Sequence, residues 1–140
     1  MKNITLFFIL CAVALFSAGC FSDPGQARDI RPMLMGTVRF DDPVVLPRAA
    51  MLTVRLLDVT SEGAPAVVLA ERSRSNPGGS PIAFVLPYPF GGITASRRYV
   101  IEARIQVEGR LRYFSMEAHV VTPLNAVKPH EITLKQAKAD

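Results

Sequence analysis

The chain has 140 residues, two cysteines, no tryptophan and a formal charge of +4. Taking away an export segment at its start leaves roughly 120 residues, which fits one domain with its own core and no need of a metal or covalent staple. The basic residues are scattered singly, mostly as Arg, so the clustered footprint of a nucleic-acid binder is absent.

The first segment, MKNITLFFILCAVALFSAGC, carries one charge, Lys2, ahead of an apolar run from Ile4 to Phe16. A basic start, an apolar stretch and small residues at its end make a secretory signal peptide over 1–19. The run is too short to span a bilayer comfortably, which takes about 20 apolar residues. Ser17-Ala18-Gly19-Cys20 resembles a bacterial lipobox, with Ser17 where that motif prefers Leu. The resemblance implies that cleavage falls before Cys20, that its Sγ receives diacylglycerol and that the new amine is acylated. Such acyl chains turn a soluble domain into an anchored one, each buried CH₂ contributing about 0.8 kcal/mol. Phe21, where an Asp would stand for inner-membrane retention, implies by resemblance to sorting signals the outer membrane, facing the periplasm.

Cys11 lies in the removed segment and Cys20 is the anchor, so no disulfide is expected in the mature domain. Residues 20–32 include Pro24, Gly25 and Pro32 and read as a lipidated, flexible tether.

Strands follow, punctuated by Pro, Gly and Asn. Residues 33–40 end at the turn Asp41-Asp42-Pro43. In 50–59, Leu52, Val54 and Leu56 alternate with Thr53 and Arg55, the period of a half-buried strand. A strand is predicted over 64–74, then an irregular connector, SNPGGS. Pro81 and Pro87 cannot donate to a ladder, which places 81–88 at a sheet edge or bounds the strand by them. A hairpin spans 98–117. Tyr99, Ile101, Ala103, Ile105 and Val107 face inward there, and Glu108-Gly109 makes the reversal. Residues 119–122 and 130–135 complete the set. No helical period appears outside the signal. The expectation is all-β: a single small antiparallel β-sandwich over 33–135, with a tail at 136–140.

Five stretches, GTVRF (36–40), LPRAAMLTVRLLDVT (46–60), APAVVLAE (64–71), PIAFVLPY (81–88) and YVIEARIQVEGRLRYFS (99–115), together resemble the type III secretion lipoprotein chaperones, or YscW-type pilotins, and the YbaY-like envelope lipoproteins. The resemblance covers nearly the whole mature domain. It implies a small β-sandwich on a lipid anchor and carries over no catalytic residue. Most such relatives occur outside secretion systems, so it implies more about fold than about role.

The residues themselves carry little chemistry. Asp58 before Thr60-Ser61 is expected to cap a turn through its carboxylate. His119 on a strand-like stretch and His130 in a loop have no Gly-rich elbow and no thiol companions, so they read as surface or core-edge histidines and not as base or zinc ligands. Glu102, Glu108 and Glu117 alternate with Arg and read as cross-strand pairs. Met33, Met35 and Met51 offer adaptable thioethers, but core filling is the plainer expectation. An open sandwich has edge strands able to accept an extended peptide. The expected protein is a non-enzymatic, lipid-anchored binding or chaperone module without cofactor. Its partners are the membrane, through Cys20, and an envelope or secretion-system protein, but no nucleic acid. The alternative is an envelope structural or stress lipoprotein without a dedicated secretion partner.

Overall fold

The computed structural model describes residues 30–138. The expected signal peptide, Cys20 and all of the tether except 30–32 lie outside the described residues. Eight strands follow in order: β1 (Met33–Phe40), β2 (Ala50–Asp58), β3 (Val67–Ser75), β4 (Ile82–Pro87), β5 (Tyr99–Val107), β6 (Arg110–Phe114), β7 (His119–Val121) and β8 (His130–Gln136). No helix among the described residues is long and apolar enough to cross a membrane.

Hydrogen-bonded neighbours run β3-β2-β5-β6-β8-β1-β4, with β7 also pairing β5. β2 covers one edge of β5 along its whole length. β6 and β7 share the other, β6 against Arg104–Val107 and β7 against Tyr99–Ile101. The hairpin between β5 and β6 closes through Glu108 (φ 51°) and Gly109 (φ 77°), both in the left-handed region that a tight type I′ reversal needs. The expected hairpin is therefore present, but it ends at Phe114.

The sheet folds over between β6 and β8, where only Tyr113↔Gln136 and Phe114↔Lys135 pair. The rings of Phe40 and Tyr113 meet edge to face across this corner, with centroids 5.0 Å apart. On one side of it lie β6, β5, β2 and β3; on the other lie β8, β1 and β4. The two layers bury the alternating residues of every long strand except β3: Leu34 and Val38, Leu52, Val54 and Leu56, Ile82, Phe84 and Leu86, Tyr99, Ile101 and Ile105, Ile132 and Leu134. Each such aliphatic or aromatic side chain contributes roughly 1.5–3 kcal/mol when fully buried.

One pair departs from the antiparallel expectation. β1 and β8 run parallel, Gly36 beside His130 through Phe40 beside Leu134. A tight turn forces antiparallel pairing only between strands adjacent in the chain. These two come from opposite ends of the domain, so no local signal orients them. Their close approach depends on Gly36, where a Cβ would collide with the His130 carbonyl and lie 2.9 Å from the Phe84 ring. β4 is an edge strand, with Pro81 just before it and Pro87 at its end.

Candidate partner-binding seam

The sandwich is joined on one side and open on the other. β3 and β4 are the two ends of the strand order, and no ladder joins them. A groove of about 470 Å³ lies between them. Leu52 and Val54 form its floor, Arg72, Ser73 and Arg74 one wall, and Ala83, Phe84 and Val85 the other.

The register fixes which way the arginines point. Leu52 pairs with Arg74, and Val54 with Arg72. Directly opposed residues of an antiparallel pair share one face. Leu52 and Val54 are buried in the core, so Arg72 and Arg74 sit on the inner face of the sheet, at its uncovered end. The opposite face carries Thr53 and Ser73, whose hydroxyls lie 3.0 Å apart, and the ion pair Arg55–Glu71 at 2.7 Å. β3 is exposed over most of its length, and Val67 and Val68 stand in solvent.

Three more ion pairs lie elsewhere on the domain. Arg39 pairs with Glu131, Arg97 with Asp58 and Arg98 with Glu62. Among the described residues, Arg72 and Arg74 make no ion pair.

Two further polar groups are buried. Asp58, only 6% exposed, accepts a hydrogen bond from the Thr60 amide at 2.9 Å and another from Arg97 Nη1 at 2.7 Å. Hydrogen bonds from Thr60, by side chain and main chain, and then from Arg97 hold its carboxyl down at about 2. His130, on the inner face at the start of β8, meets His119 of β7, Nε2 of His119 to Nδ1 of His130 at 2.9 Å. Burial pushes both imidazoles below their ordinary value, and His119 adds to the effect on His130. Neither imidazole hydrogen-bonds a hydroxyl nucleophile among the described residues. No group of three His, Cys, Asp or Glu among them is placed to hold a metal ion.

The family model described as type III secretion system lipoprotein chaperone (YscW) matches residues 31–134, the whole of the strand-bearing region but its last residues. The chain belongs to this family. It is similar to the uncharacterized lipoprotein YbaY of Escherichia coli K12, 34% identical over 86 residues. That match takes in 61% of this chain and 45% of YbaY, so it spans less than half of the relative's length. A solved structure, that of an alternative pilotin from the type II secretion system of Vibrio cholerae, superposes with a TM-score of 0.70 at 34% identity. It matches 76% of this chain and 97% of the pilotin's.

In this YscW-family lipoprotein the residues expected to matter fare unequally. Asp58 caps its turn as expected. His119 and His130 are core-edge residues, but His130 begins β8 and lies in no loop, and the two imidazoles bond each other. Arg55 does stand opposite Glu102, yet its ion pair is with Glu71 on the other side. The methionines correct their expectation: Met33, Met35 and Met51 are 46%, 47% and 40% exposed and do not fill the core. Leu34, Gly36 and Val38 take the inner positions of β1, so the strand's alternation turns Met33 and Met35 outward. The seam arginines were legible only as scattered charge, because their shared face depends on the pairing with β2.

Proposed function

We propose that this protein is a lipid-anchored carrier of another envelope protein. Cys20 carries the acyl chains, residues 20–32 form the tether, and the domain at 33–135 faces the periplasm from the outer membrane. The domain binds a secretion-system component in the manner of a pilotin, and the anchor takes the bound partner to the membrane. It works by binding, without catalysis. The observation that carries this reading is the unjoined side of the sandwich, where the edges of β3 and β4 form no ladder with each other and flank a groove over the buried Leu52 and Val54. The family's chaperone character and the likeness to a secretion pilotin support it.

The test compares cells making the wild-type lipoprotein with cells making a Cys20→Ala form exported by an ordinary cleavable signal. The same envelope protein should co-purify with both forms, and it should reach the membrane fraction only with the first. If nothing from the envelope co-purifies with either form, the carrier reading fails, and a structural or stress role takes its place.

A further inference from the structure

An edge strand normally shields itself from unwanted pairing with inward-pointing charge, and β3 does so with Arg72 and Arg74. That device rejects apolar and basic strands. It does not reject acidic ones, since opposite charges directly across a strand pair stabilise it. The two arginines are two residues apart on one face, have no acidic partner among the described residues, and stand over the apolar floor of Leu52 and Val54.

Resting on the carrier reading above, we propose that the partner binds by adding an extended segment to the free edge of β3. The segment carries two carboxylates two residues apart, which lie opposite Arg72 and Arg74 on the inner face. Its backbone pairs with β3, and apolar residues that share the carboxylates' face cover the seam. A second copy of this chain does not suit the place, because β3 against β3 would set arginine close to arginine. An anionic membrane does not suit it either: a flat headgroup layer meets the outside of a sandwich, and these side chains face its inside.

The probe is a labelled peptide of about eight residues, the length of an ordinary strand, with Glu at two positions two apart among Val and Thr. Two controls share its sequence: one with Lys for Glu, and one with N-methylated backbone amides. The full-length lipoprotein in detergent should bind the Glu peptide and neither control. The double variant Arg72→Glu, Arg74→Glu should bind it roughly tenfold more weakly or worse, the order that two cross-strand charge pairs supply. The same variant should gain affinity for the Lys peptide, which also shows that it is folded. Undiminished binding of the N-methylated peptide overturns strand addition. Equal binding of the Glu peptide by the double variant overturns the role of the arginines. So does a loss confined to anionic vesicles or to self-association.

In cells, the double variant should remain at the membrane and lose its partner. If the partner still travels with the double variant, the seam assignment is wrong while the carrier reading stands. If no partner travels with the wild-type protein, the carrier reading itself has failed.

Discussion

The imidazoles of His119 and His130 meet at 2.9 Å and close the end of the sandwich between β7 and β8. One ring must donate and the other accept, so the pair holds at most one extra proton. Because burial depresses both side chains below 6.5, the unfolded chain takes up protons first as the pH falls. Stability conferred by the neutral pair is therefore complete above that value and declines below it. Urea midpoints measured at about pH 8 and about pH 5 should show this decline. Replacing both residues with Gln should lower stability at the higher pH and flatten the difference. A slope that the double replacement leaves intact would assign the effect to other groups.

Asp58 governs the acid end. Its carboxyl ionises at about 2 in the folded protein against 3.8 as the ordinary value. A depressed carboxylate stabilises the fold above the ordinary value, and that contribution fades as pH falls from about 4 to about 2. Asp58→Asn should remove this acid-sensitive part from a plot of unfolding midpoint against pH, and Arg97→Ala should shrink it. An unchanged acid limb in Asp58→Asn would show that the Thr60 and Arg97 bonds do not set it.

Gly36 tests the parallel pair. An added methyl has no room between β1 and the His130 carbonyl, so Gly36→Ala must push the strands apart. The expected loss is about 1–3 kcal/mol, the usual cost of overpacking, read from denaturant unfolding. Gly79→Ala, where nothing lies within 4 Å of the new carbon and the φ is ordinary, is the matched control. Equal stability of the two variants would place β1 and β8 farther apart than described.

Cys20 tests the anchor. Cys20→Ala in the native sequence should abolish labelling by a palmitate analogue and leave the signal peptide without lipoprotein-type cleavage. Mass spectrometry of the wild-type N-terminus should find acyl groups on Cys20. Normal labelling of the variant removes the anchor from this residue, and with it the transport step of the carrier reading.

The strands were legible because alternation is local. In β5, Tyr99, Ile101, Ala103 and Ile105 show their burial in the chain itself, and Glu108-Gly109 announces its own reversal. Pro81 and Pro87 likewise marked either an edge or the strand's two ends, since a residue that cannot donate has no place inside a ladder. The inward turn of Arg72 and Arg74 was not legible. Alternation says that they share a face, but only pairing with β2 says which face it is.

By itself, the sequence determined an all-β domain and the inner faces of β2 and β5. Each of these rests on neighbours a few residues apart. Tertiary structure alone decided that β1 runs parallel to β8, that His119 reaches His130, and that β3 and β4 leave a seam floored by Leu52 and Val54. Those relations join residues far apart in the chain. They follow from how two twisted layers close over one core, a balance of burial and backbone pairing that no short window of sequence contains.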